Sequence, residues 1–163
     1  VIFVGCDPGL DGGIAIQCED GDKDKWWDMV KPMPTTSVGK KREIDEQAII
    51  EFLDFDHVDE ILVTIEKVHA MPKQGVTSMF NFGLGYGLLR GICSGLGIPY
   101  QLVTPQAWKK VMLAGYAKGS EYQVASHLWP DVDFRATARC RKAHSGKVDA
   151  ALICEFGRRK GGA

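Results

Sequence analysis

The sequence has no hydrophobic run long enough to span a membrane, which argues against a membrane-spanning helix, and it shows no secretory leader pattern. Its cysteines are few, odd in number and never spaced as C-x-x-C: they stand at 6, 18, 93, 140 and 154, three of them in apolar runs. That usage speaks against a disulfide frame or a zinc site and for reduced intracellular thiols. Internal repeats and low-complexity segments are absent. Net charge is nearly absent too, at −1, but the balance hides a division. Residues 1–104 carry 9 basic and 16 acidic side chains, and residues 105–163 carry 11 basic and 5 acidic. A basic C-terminal third implies an anionic partner, with an alternating solvated surface as the competing reading. A chain of 163 residues predicts one domain with a real core.

What is present is organised around the opening stretch, Val1-Ile2-Phe3-Val4-Gly5-Cys6-Asp7-Pro8-Gly9, with Gly12-Gly13 after it. An apolar run rich in β-branched and aromatic residues reads as a buried strand. It ends on the carboxylate of Asp7, and Pro8-Gly9 then forces a turn, since Pro presets φ and Gly accepts φ > 0. Ile14-Ala15-Ile16 opens a second apolar run, so the unit predicts a hairpin with Asp7 at the mouth of a central strand. An isolated Asp-Pro-Gly is as readily a plain turn. A second acid placed in the same way, Glu66 at the end of the strand predicted over 60–66, favours a site. Alternation puts Leu62, Thr64 and Glu66 on one face of that strand.

Between these acids the pattern predicts a third strand over 26–30 and a loop over 31–42 containing Lys40-Lys41-Arg42. A helix over 43–55 follows, with Ile44, Ala48, Ile49, Phe52 and Leu53 at helical spacing. A long helix is expected over 77–96. Gly83, Gly87, Gly91 and Gly95 recur in it every four residues, and each costs about 1 kcal/mol against Ala. Such a flat stripe implies close approach of another backbone: tight packing within the fold, with a dimer contact nearby, is the expectation, and a helix–helix dimer seam along the stripe itself is the competing reading. Residues 100–103 read as a strand, and Thr104-Pro105 as the N-cap and first residue of a short helix carrying Trp108. Helices over 120–128 and 147–157 enclose a polar loop at 131–146 that holds Arg135, Arg139, Arg141, Lys142 and His144.

Three strands in meander, then helix, strand, long helix, strand and helices, describe an α/β protein. The expected architecture is a five-stranded mixed sheet with helices on both faces, the ribonuclease H-like arrangement, in one domain over 1–163. There the first and fourth strands are neighbours, so Asp7 and Glu66 meet at adjacent strand ends, and Asp149 swings over the same end from the last helix. Three carboxylates converging in a partly dry site repel one another. A pair of Mg2+ ions, hard cations that prefer oxygen, is the natural counter-charge. At about 4 Å apart they activate a water on one side of a phosphodiester and stabilise the leaving oxygen on the other. His144 adds a nitrogen ligand or proton acceptor, or is an ordinary loop histidine. Asp149 taken alone could simply favour the positive end of its helix.

Three motifs in this order, Val4-Gly5-Cys6-Asp7-Pro8-Gly9 with Gly12-Gly13, Ile65-Glu66, and Val148-Asp149-Ala150-Ala151-Leu152-Ile153, resemble those of RuvC-type Holliday junction resolvases. The similarity spans nearly the whole chain. Met71-Pro72-Lys73-Gln74-Gly75 through Phe80-Asn81-Phe82-Gly83 looks most like the plant chloroplast branch, the monokaryotic-chloroplast resolvases. The resemblance implies a homodimer that nicks opposing strands of a four-way DNA junction, with two Mg2+ per active site and Mn2+ able to substitute. It also implies a chloroplast location, the transit peptide lying outside this chain. Asp7, Glu66 and Asp149 match the metal-binding catalytic acids. Bacterial relatives commonly place a fourth ligand three residues before the last acid, where Gly146 stands here; the role shifts to His144 or is absent. The lysine that relatives tend to carry after Gly-Ser is missing from Gly119-Ser120-Glu121-Tyr122, leaving Lys118 as the nearest cation.

Lys118, Arg139, Arg141, Lys142 and Lys147 are expected on the DNA, together with the loop over 71–81 that follows Glu66. In that loop Lys73 suits a phosphate and Gln74 a base edge, Phe80 can stack on an unpaired base, and Phe82 reads as core. Two other classes compete. A phosphotransferase or ATPase also sets an Asp and glycines between two strands, but needs two such domains, more than 163 residues hold. A non-catalytic junction-binding module of the same fold is expected to lack one of the three acids, and none is missing.

Overall fold

The computed structural model describes residues 1–18, 30–55, 60–69 and 75–161. The opening hairpin forms as expected, with β1 (Ile2–Asp7) antiparallel to β2 (Gly13–Cys18). β3 (Val30–Pro32) continues the meander; residues 26–29 of the strand expected there lie outside the described residues. β4 (Thr35–Val38) and β5 (Lys41–Ile44) form a separate two-stranded ribbon. β6 (Ile61–Glu66) and β7 (Tyr100–Val103) add parallel strands, so the main sheet runs β3-β2-β1-β6-β7. The helices are α1 (Glu46–Leu53), α2 (Val76–Gly95), α3 (Pro105–Met112), α4 (Glu121–Leu128) and α5 (Ser145–Gly161).

Strand alternation divides the core into two layers. Ile2, Val4, Cys6, Ile14, Ile16, Val63 and Ile65 bury one face against Ile49 and Leu53 of α1 and Leu89 and Cys93 of α2. Phe3, Ala15 and Val103 bury the other against Trp108 of α3, Val124 and Ala125 of α4, and the apolar face of α5. Each such aliphatic side chain contributes about 1.5–3 kcal/mol through burial. The result is the expected five-stranded mixed sheet with helices on both faces, the ribonuclease H-like fold.

α5 lies directly on the backbone of β1. A Cβ at Gly5 would collide with the Ala150 carbonyl and the Cys154 amide, and the Cys154 thiol donates to the Phe3 carbonyl at 3.3 Å. At the start of the helix, Gly146 meets the β1–β2 turn in the same way: a Cβ there would collide with the carbonyl oxygens of Asp11 and Gly12. These contacts set the first turn of α5, and with it Asp149, over the end of the sheet. They also explain why no fourth ligand stands at 146: a side chain has no room.

Four expectations need correction. The segment 31–42 is not a loop: residues 31–32 complete β3, and residues 35–42 make up most of the β4–β5 ribbon, built on β-branched Thr35, Thr36 and Val38 and turned at Gly39 with φ +63°. α1 starts at Glu46, because Asp45 caps it by accepting from the Ala48 amide at 3.0 Å. α5 runs on to Gly161, its last turns carried by Arg158 and Arg159 on the buried carboxylate of Glu155, at 2.9 and 2.8 Å. Finally, the glycine stripe of α2 does not pack within the fold. A Cβ at Gly83, Gly87, Gly91 or Gly95 would meet nothing within 4 Å, and the helix turns Gly85, Leu89 and Cys93 inward instead.

Candidate active site

Cys6 of β1 pairs with Ile65 of β6 in parallel register, so one residue later Asp7 and Glu66 end the two strands side by side. Both project from the face covered by α5, where Asp149 occupies the second turn of the helix. The three acids act on one another. The Asp7 carboxyl is pushed up to about 8, by burial first and then by the charges of Glu66 and Asp149. Burial lifts Asp149, Lys109 pulls it back, and Glu66 and Glu121 add to the rise, to about 6. Glu66 is raised by burial, against the pull of a hydrogen bond from Trp108 and the charge of Lys109.

α3 supplies that opposition. β7 ends at Val103 beside Glu66, and the Thr104 hydroxyl caps the next helix by accepting from the Ala107 amide at 3.2 Å. With Pro105 presetting the first turn, Trp108 folds back under the strand end and its indole N–H donates to Glu66 Oε2 at 3.2 Å. Lys109 follows, its ammonium 5.0 Å from the Trp108 ring centroid and 3.0 Å from Glu121 Oε1 on α4. Burial works against that ammonium. The hydrogen bond to Glu121 and the charges of Asp149, Glu121 and Glu66 outweigh it and raise its pKa. Lys109, Trp108 and Glu121 were missed in the sequence. The Thr104-Pro105 helix start directly after β7 was the available signal, but Trp108 reads as core and Lys109 cannot be told from Lys110 without the fold.

The trio is hard, oxygen-only and short of positive charge, which suits a magnesium-like ion. Among the described residues no group of three or more His, Cys, Asp or Glu closes into a metal-holding cluster. The acids are electrostatic neighbours, with Glu66 drawn onto Trp108.

His144 sits apart in role. Its carbonyl accepts from the Val148 amide at 3.2 Å and its Nδ1 from the Lys147 amide at 3.3 Å, so it caps α5. While Nδ1 accepts, the neutral ring carries its proton on Nε2 and offers no lone pair to a metal. Its pKa is lowered, by burial first and by Lys147 and Arg42, with Asp11 opposing.

The expected DNA contacts separate into three groups. Lys118, Arg139, Arg141 and Lys142 are exposed, and Phe80 near the start of α2 is 69% exposed. Phe82, read as core, is 37% exposed with its ring against Gly9 in the turn after Asp7. Lys73 and Gln74 lie outside the described residues. Lys147 is turned inward, a correction: it is 8% exposed, and its ammonium donates to the carbonyls of Asp133 at 2.6 Å and Arg135 at 2.9 Å. A buried ammonium satisfied by two carbonyls ties a loop to a helix and has no free donor face for a phosphate.

No family model and no curated protein matches the chain. Solved structures do. The Thermus thermophilus RuvC structure superposes with a TM-score of 0.59 at 16% identity, covering 99% of this chain and 97% of that one. T. thermophilus RuvC in complex with Holliday junction substrate gives 0.58, with the same identity and coverage. At this identity the likeness establishes the fold.

Proposed function

We propose that this chain is a divalent-metal-dependent endonuclease that nicks four-way DNA junctions as a homodimer. One observation carries this reading. Asp7 and Glu66 end adjacent parallel strands with Asp149 held over them, and mutual charge and burial lift Asp7 to about 8 and Asp149 to about 6. An acid cluster so strained is stabilised by a cation, and its oxygen donors fit magnesium or manganese better than zinc. When bound, such ions supply charge neutralisation at a phosphodiester and a lowered pKa for an attacking water. Asp7, Glu66 and Asp149 would hold them as carboxylates, Asp7 giving up its proton on binding. Trp108 fixes the orientation of Glu66, and Lys109 provides a standing positive charge beside the trio. His144 holds the helix that carries Asp149 and joins the ligands only by releasing its cap.

The choice of DNA as substrate is supported by the exposed Arg139, Arg141 and Lys142 and by a fold shared with a protein described in complex with Holliday junction substrate. A second copy of the chain is the proposed occupant of an apolar groove of about 600 Å3 along the α2 glycine stripe, walled by Ile50, Leu84, Leu88, Ile92 and Leu96. The chloroplast assignment rests on the 71–83 resemblance alone, and the two solved structures described above are from Thermus thermophilus. Incubation with magnesium and a synthetic four-way junction, a duplex or ATP tests the reading. Nicking of the junction alone supports it; ATP turnover without nicking replaces it with a phosphotransferase.

A further inference from the structure

α4 has two working faces. Glu121 turns to Lys109 and the acid trio, while Tyr122, one residue on, forms part of the wall of a pocket of about 440 Å3. The opposite wall is a strap folded onto α5: Arg135 bridges to Ala143, the His144 amide donates to the Phe134 carbonyl at 2.8 Å, and Lys147 holds the carbonyls of Asp133 and Arg135. Phe134 is buried and meets the Tyr122 ring edge-on, with centroids 6.4 Å apart. Tyr122 is thus braced from within yet 55% exposed. Charge in the pocket is one-sided. Its acid, Asp133, is engaged by Arg135 through both carboxylate oxygens at 2.8 and 2.9 Å, which leaves Arg141 and Lys142 in the lining and exposed to solvent.

We infer that this pocket is a second DNA subsite that takes one unpaired nucleotide, its base stacked on Tyr122 and its phosphate against Arg141 and Lys142. The inference rests on the junction-cutting function proposed above and extends it. An exposed aromatic braced beside two cations matches a ligand that is flat on one side and anionic on the other. The volume suits a single small ligand and not a duplex. Bases within a duplex already stack on their neighbours, so the nucleotide is one released at the crossover. Its neighbourhood to the trio, through adjacent residues of α4, places the subsite on a strand leading to or from the cut.

The test uses the full chain with the Asp7→Asn substitution, so that a bound junction stays intact, and four-way junctions carrying 2-aminopurine in turn at each base flanking the crossover. Binding should change the fluorescence at one position. Tyr122→Ala should abolish that change and weaken junction binding about 5- to 50-fold, whereas Tyr122→Phe should keep both. Arg141→Ala with Lys142→Ala should flatten the salt dependence by about one phosphate contact and weaken the same signal. A fluorescence change at no position overturns the subsite, as does a signal unaltered by Tyr122→Ala or by the double substitution. A protein that nicks the junction normally while its pocket variants behave as wild type loses only the subsite. A protein that does not bind the junction at all loses the function and the subsite together.

Discussion

Lys109 and Glu121 form a 3.0 Å ion pair between α3 and α4, and that pair holds the cation that lowers the pKa of Asp7, Glu66 and Asp149 alike. Removing the ammonium leaves the acids to one another. Lys109→Met should slow junction cutting about 10- to 1000-fold, the range for losing one positioned charge at a reacting centre. It should also move the alkaline-rising limb of the pH–rate profile upward, because the acids then deprotonate at higher pH. A slower enzyme with an unmoved profile would make Lys109 a packing residue.

The raised pKa values predict how metal binding depends on pH. Carboxyls must be deprotonated to hold a cation, and Asp7 and Asp149 release their protons at about 8 and about 6. Apparent magnesium affinity should therefore rise through this window, with proton release on binding that fades above pH 8. Isothermal titration in buffers of different ionisation enthalpy measures the released protons directly.

Stability without metal should run the other way. Asp7 has a folded pKa above its unfolded value of 3.8, so the folded state binds more protons and loses stability as pH rises from about 4 to about 8. Asp7→Asn removes that liability. It should raise the melting temperature of the metal-free protein at pH 7.5 by roughly 3–6 °C, about 1–2 kcal/mol, and saturating magnesium should narrow the gap by stabilising the wild type. A variant that melts no higher than wild type in chelator would mean that the acids are not in mutual strain.

Two sets of glycines should respond oppositely to the same substitution. Gly146→Ala drives a methyl group into the carbonyls of Asp11 and Gly12 and should cost about 2–4 kcal/mol. Gly91→Ala meets open space and should stabilise the monomer by about 1 kcal/mol. If a second copy sits on this stripe, Gly87→Leu should shift the chain from dimer to monomer in analytical ultracentrifugation. A dimer unaffected by Gly87→Leu would put the interface elsewhere.

What could be read from the sequence was what local pattern encodes. The strands bearing Asp7 and Glu66 are apolar runs that stop at an acid, and each stop is visible without the fold. Thr104-Pro105 announced α3 for the same reason. The β4–β5 ribbon was missed because its alternation lies in threonines and lysines, with apolar weight only at Val38 and Ile44. The glycine stripe was visible but its direction was not, since a period of four says which residues share a face and nothing of what that face meets. Lys147 was misplaced and Lys109 missed for a like reason: a lysine's work depends on which carbonyl or carboxylate the tertiary fold puts at its tip. Lys147→Met should accordingly destabilise the chain by about 1–3 kcal/mol while leaving the salt dependence of DNA binding unchanged. Arg139→Ala should do the reverse, flattening that dependence by about one phosphate contact.

The most direct measurement is single-turnover cutting of a synthetic four-way junction in magnesium by the wild type and by Asp7→Asn, with binding followed in parallel. Wild type should cut opposing strands, and Asp7→Asn should bind with comparable affinity but cut at least 1000-fold more slowly. A wild-type protein inert in both magnesium and manganese, or an Asp7→Asn protein that cuts at the wild-type rate, would contradict a metal-dependent site at Asp7, Glu66 and Asp149.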